Sequence, residues 1–155
     1  MHRPLNRRSA LLLAAAAPAA FAALPRSAFA KTPEVYAEGG IAIDGTDAVA
    51  YFTEGKPVEG VAAHSVDWRG VTWRFASAEN AARFEADPEA YAPQFGGYCA
   101  WAVSQGYTAP TVPQAWTIHE GKLYLNFSRG VRRRWQRDID ANIAAGNANW
   151  PRVLG

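Results

Sequence analysis

The sequence predicts a small α+β fold: a small sheet of short antiparallel hairpins with a packed helix and a C-terminal amphipathic helix. Three observations carry that reading. Two stretches, His64 to Trp68 with Val71 to Phe75 and Trp116 to Glu120 with Lys122 to Phe127, alternate apolar and polar residues around Arg69-Gly70 and Gly121, a hairpin signature. Ser77 stands before an Ala- and Glu-containing run that stops at Asp87-Pro88, which is a helix with its cap and its breaker. Val131, Trp135, Ile139 and Ile143 recur every four residues as one helical stripe.

Taken in order, the chain begins with a targeting pattern. Arg3, Arg7 and Arg8 precede an apolar run from Ala10 to Ala23, and Ala28-Phe29-Ala30 supplies a small-x-small end. This predicts a signal peptide over 1–30, cleaved before Lys31. The run is broken by Pro18 and falls short of the roughly 20 apolar residues that span hydrocarbon. The Arg7-Arg8 pair resembles a twin-arginine signal, with Ala10 where a bulky apolar residue is usual. Residues 31–44 read as a loosely ordered N-terminal arm, and 45–155 as the domain proper.

Within the domain, Val49 to Phe52 reads as a short strand. In the first hairpin Val66 and Trp68 share a face and Val71, Trp73 and Phe75 share another, with His64 on the inward face of Val66 and Trp68. The helix after Ser77 covers 78–86, with Ala81, Ala82 and Phe84 toward the core, and Pro88 to Tyr91 adds a further helical turn. Gly96-Gly97 relaxes the backbone before Cys99, and a Pro/Thr/Gln loop covers 104–114. In the second hairpin Trp116 and Ile118 face inward, which turns His119 out. The last helix spans 129–145 and stops at Gly146.

Charge and cysteine content narrow the function. Sixteen Lys and Arg against fourteen Asp and Glu give +2, but all four charges of the first thirty residues are arginines, so the chain from Lys31 onward carries −2. That balance offers no electrostatic basis for a nucleic-acid partner or an anionic membrane. Cys99 is the single cysteine, so no intramolecular disulfide can form and the core must rest on six Trp, six Tyr and several Phe. No Gly-rich phosphate loop, His-Glu-x-x-His, Cys-x-x-Cys or Gly-x-Ser-x-Gly occurs. The run Arg132-Arg133-Arg134 reads as a solvated helix face. Cys99 is a small buried hydrophobe, a soft metal ligand or a reactive thiol, and His64 a ligand or a core histidine.

The stretch from Ala63 to Ser77 (Ala-His-Ser-Val-Asp-Trp-Arg-Gly-Val-Thr-Trp-Arg-Phe-Ala-Ser), followed by Phe84 to Tyr91, resembles the YHS domain, a small metal-associated module. The flanks Gly45 to Phe52, Gly96 to Ala100 and Gly121 to Phe127 are similar to its longer exported bacterial branch. The resemblance implies metal-binding cysteines where this chain has Ala50, Ala76 and Asn80, leaving His64 and Cys99 as the metal ligands to consider. It implies a periplasmic or secreted, non-catalytic protein that binds or handles a metal ion. A soft sulfur ligand favours Cu(I) over another transition metal, and no organic cofactor is indicated. The alternative is a degenerate YHS module that binds a periplasmic protein or a small ligand without metal. An enzyme using Cys99 as nucleophile ranks third, because no base with its orienting partner is visible. Neither nucleic acid nor stable membrane insertion is expected.

The leader reading predicts that the exported protein starts at Lys31, and that Arg7→Lys with Arg8→Lys blocks its export. N-terminal sequencing of the periplasmic fraction checks both. Unimpaired export of the double variant would place the protein on the general secretory route.

Overall fold

The computed structural model describes residues 30–155, so the signal peptide reading, with Arg7 and Arg8, lies outside the described residues apart from Ala30. The architecture is α+β. Four strands, β1 (Ala37–Glu38), β2 (Ile41–Ala42), β3 (Val61–Trp68) and β4 (Val71–Phe75), form one sheet in the order β1-β2-β4-β3. The pair β2 and β4 is parallel and the other neighbours are antiparallel. A separate hairpin joins β5 (Trp116–His119) to β6 (Lys122–Leu125).

The first hairpin forms where expected, but its register corrects the assignment of faces. Val66 lies opposite Trp73 and Trp68 opposite Val71. Directly paired residues project to the same side of a sheet, so both apolar sets share one face rather than two. The helix α2 (Ala78–Ala86), capped by the Ser77 hydroxyl accepting from Asn80 N at 3.1 Å, closes that face with Phe84. The Phe84 ring sits 5.0 Å from Trp73, 5.0 Å from Phe75 and 5.6 Å from Trp68, centroid to centroid. Such aromatic contacts each add about 0.5–1.5 kcal/mol beyond area burial. The turn expected at Pro88 is α3 (Pro88–Tyr91).

Three expectations are overturned in this part of the chain. Val49 to Phe52 is not a strand: residues Ala50–Thr53 form the helical turn α1, begun by the Asp47 side chain accepting from Val49 N and Ala50 N. Residues 31–44 are not a loose arm, since Val35, Tyr36, Ala42 and Ile43 are buried and Tyr36 N donates to Gly96 O at 2.8 Å. Strands of two residues are too short to show a period, which is why the sequence gives no sign of them. A further helix, α4 (Ala100–Ser104), follows Cys99. The last helix is split into α5 (Arg129–Trp135), a 3₁₀ turn over Gln136–Asp138 and α6 (Ile139–Asn149). Asn142 Nδ2 donates to Trp135 O at 2.8 Å, satisfying a carbonyl at the end of α5.

Gly146 does not stop the helix; α6 runs through it until Trp150, the residue before Pro151, is pushed out of the α region. A glycine is needed there for a different reason. A Cβ at position 146 would lie 2.6 Å from Phe95 Cζ, so the bare backbone lets the Phe95 ring pack against α6. Phe95 belongs to a second apolar cluster with Tyr36, Tyr98, Val103, Tyr124 and Trp135, distinct from the first around Trp73, Phe75 and Phe84. The strand β6 divides the two, sending Leu123 and Leu125 into the first and Tyr124 into the second. Among the described residues no helix is long and apolar enough to cross a membrane.

Gly146→Ala tests the contact with Phe95. In an unconstrained helix the change would stabilise by about 0.8–1 kcal/mol, whereas overpacking costs about 1–3 kcal/mol. A lowered urea midpoint is expected, and a raised one would remove the packing role.

Candidate functional site

Cys99 lies at the start of α4, just after three consecutive residues in left-handed backbone, Phe95 (φ 57°), Gly96 (φ 62°) and Gly97 (φ 82°). This path carries the chain past Glu34 O, which a Cβ on Gly96 would approach to 1.9 Å. Phe95 pays for it with a conformation that non-glycine residues seldom adopt. The Cys99 residue is 1% exposed, and its Sγ accepts from Phe127 N at 3.3 Å and donates to Asn126 Oδ1 at 3.5 Å. Asn126 Oδ1 also accepts from Trp101 N at 3.1 Å, which caps α4 and fixes the amide's orientation. Burial pushes the thiol's pKa up, against the backbone N–H groups of Ala102, Phe127 and Trp101, which favour the thiolate. Cys99 lines a cleft of about 310 Å³ walled by Trp101, Tyr107, Phe127 and Val131, with Arg134 beside them.

His64 is half-buried on β3 at the irregularity between Val61 and Ser65. No residue of β3 lines the Cys99 cleft. His119, expected to face out, is half-buried, with Nε2 3.0 Å from Asp140 Oδ1 on α6. The arginine run is not uniformly solvated. Arg132 reaches back to donate to Trp116 O at 2.9 Å, while Arg134 lies over the Trp101 ring at 5.7 Å.

The most completely bonded side chain is one the sequence reading passed over. Asp47 is fully buried, and its Oδ1 accepts from Val49 N at 2.9 Å and Ala50 N at 3.1 Å. Its Oδ2 accepts from Ala76 N at 2.9 Å and Asn80 Nδ2 at 2.8 Å. A carboxylate has about four lone-pair sites, and here all are taken by N–H donors. The available signal was an Asp placed directly before a short apolar run, Ala48 to Phe52, the position of a helix cap.

A second cleft, of about 290 Å³, opens between the first sheet and the end of α6. Trp68, Trp73, Phe95 and Trp150 wall it, with the Gln94 and Asn147 amides among its lining. At its edge the Arg69 guanidinium sits 4.4 Å over the Trp68 ring and pairs with Glu34 at 2.9 Å and Glu89 at 3.0 Å. Its charge is thus opposed by two carboxylates, one of them, Glu89, itself in the lining, which leaves the cleft aromatic walls, two neutral amides and no unpaired guanidinium.

A family model described as the YHS domain matches residues 49–95. Those residues are a YHS domain. No curated protein and no solved structure matches the chain. The YHS domain supplies one side of the second cleft, with Trp68, Arg69, Trp73 and Phe95, and the C-terminal segment supplies Asn147 and Trp150 across it. It also contains the three positions, Ala50, Ala76 and Asn80, at which the family resemblance implies cysteines. In this chain all three converge on Asp47, two through backbone N–H and one through a side-chain amide. N–H donors aimed at a carboxylate leave no lone pair for a cation, so these residues do not fit a thiolate-held metal. Among the described residues no group of three or more His, Cys, Asp or Glu is placed to hold a metal ion.

Asp47→Asn replaces an acceptor oxygen by an NH₂ that faces N–H donors. Each buried donor left without a partner costs about 1–3 kcal/mol, so a large fall in the urea midpoint is expected. A chelator is expected to leave the wild-type midpoint unchanged; a chelator-induced fall would show that a metal supports this part of the fold.

Proposed function

We propose that this chain is an exported, non-catalytic YHS module that binds a small planar ligand, without metal, in the aromatic cleft between its YHS domain and its C-terminal segment. The observation that carries the reading is that cleft. It lies on a seam between separately packed halves, as ligand sites commonly do, and the strained Phe95 backbone forms part of it. Aromatic walls reward flat apolar surface, and the paired state of Arg69 favours a neutral ligand over a strongly charged one.

1-Naphthol, a neutral planar probe, tests the reading through tryptophan fluorescence. Saturable quenching is expected in the wild type. Asn147→Trp, at an exposed position on α6, is expected to plug the cleft and weaken binding at least about tenfold, a loss of about 1.4 kcal/mol. Absent binding, or binding indifferent to Asn147→Trp, would overturn the proposal.

The copper reading keeps one observation in its favour, the presence of Cys99 in the lining of a cleft. Linear Cu(I) needs a second soft donor, and His64 contributes nothing to that cleft. A Cu(I) competition titration of wild type, Cys99→Ser and His64→Ala decides between the two. Equal affinity in all three, or none in any, is expected here, and a loss confined to the two variants would restore copper as the ligand.

A further inference from the structure

The cleft over Cys99 has features that neither core packing nor the seam cleft explains. Two of its walls, Tyr107 at 52% and Phe127 at 53% exposure, are the most exposed large apolar side chains among the described residues. Neither they nor Val131 belongs to either apolar cluster. Large exposed aromatics gathered at one mouth mark a surface that something else covers.

The charge at that mouth says what. The single charged side chain in the lining is Arg134, and no carboxylate joins it. Among the described residues Arg134 makes no ion pair, in contrast to Arg69 and Arg83, each bound to glutamate. Arg129 and Arg133, exposed on the same helix, add positive potential and also lack ion pairs among the described residues. An unpaired guanidinium at the edge of a small apolar cleft is a complement for a carboxylate carried on a hydrocarbon body.

We infer that this cleft is a second binding site, which takes a free organic carboxylate with an apolar body: the chain or ring lies between Trp101, Tyr107, Phe127 and Val131, and the carboxylate pairs with Arg134. The site is independent of the seam cleft and of any metal. Cys99 forms part of its floor as a neutral thiol, already hydrogen-bonded to Asn126 and Phe127. It serves as a built-in reporter: at 1% exposure it reacts only through local openings of the cleft floor, which a seated ligand holds shut.

Octanoate is the probe, 1-octanol its neutral counterpart, and calorimetry with the rate of Cys99 modification by N-ethylmaleimide the readouts. Octanoate is expected to bind saturably, to slow the modification, and to bind less tightly as salt is raised. Arg134→Gln, an exposed change that leaves the core intact, is expected to weaken octanoate about tenfold while Arg133→Gln has little effect. His64→Ala is expected to retain binding, which separates this site from the copper reading, and Asn147→Trp to retain it, which separates it from the seam cleft. The inference is overturned by absent binding, by octanol binding as tightly as octanoate, by equal losses in Arg133→Gln and Arg134→Gln, or by loss in Asn147→Trp.

Discussion

The Asp47 carboxylate is the constraint around which the YHS domain is assembled. A carboxylate moved out of water without partners would carry a penalty larger than the stability of most small domains. Four N–H donors offset it, and they come from three places: the start of α1, the residue that follows β4 and the first turn of α2. None of these can move without stranding a donor or an acceptor. The position of α2 against the sheet follows, and with it the placing of Phe84 among Trp68, Trp73 and Phe75.

The same arrangement departs from the cysteine pattern that the resemblance to metal-associated YHS domains implies. Where the resemblance implies sulfur at positions 50, 76 and 80, this chain offers two alanines and an asparagine, and the local architecture is closed by hydrogen bonds instead. Asn80 contributes an amide donor that an ion would not tolerate beside it, and the two alanines leave only their backbone N–H groups facing inward. A hydrogen-bonded carboxylate can hold α1, β4 and α2 together as a metal would, without dependence on metal supply.

The seam cleft arises where the C-terminal half is laid against this unit, whereas the Cys99 cleft lies within that half. Gly146 lets Phe95 reach α6, and that contact sets one wall of the seam cleft. Asn126 ties the end of β6 to the start of α4 and holds Cys99 beneath Phe127. The two clefts differ in electrostatics rather than size. One has a guanidinium neutralised by Glu34 and Glu89, the other a guanidinium left open, so they select ligands of different charge.

The sequence by itself determined the parts whose cause is local. Both hairpins, the Ser77 cap, the stop at Asp87-Pro88 and the helical stripe through Trp135 are written in contiguous residues, because turn chemistry and periodicity act over a few positions. It also carried the YHS resemblance, through motifs that residues 49–95 bear out. It could not show that Val49 to Phe52 turns into a helix, because the carboxylate that begins the turn is fixed by Ala76 and Asn80, 29 and 33 residues away. Nor could it show the buried arm, the trans cap from Asn126 onto α4, or the use of Gly146 for packing. The candidate site was legible only as a residue type: Cys99 stood out, but its neighbours are brought in from β6 and α5, and His64 stays outside that lining. Those pairings join segments far apart in sequence, and a contact of that kind exists only once the chain has closed on itself.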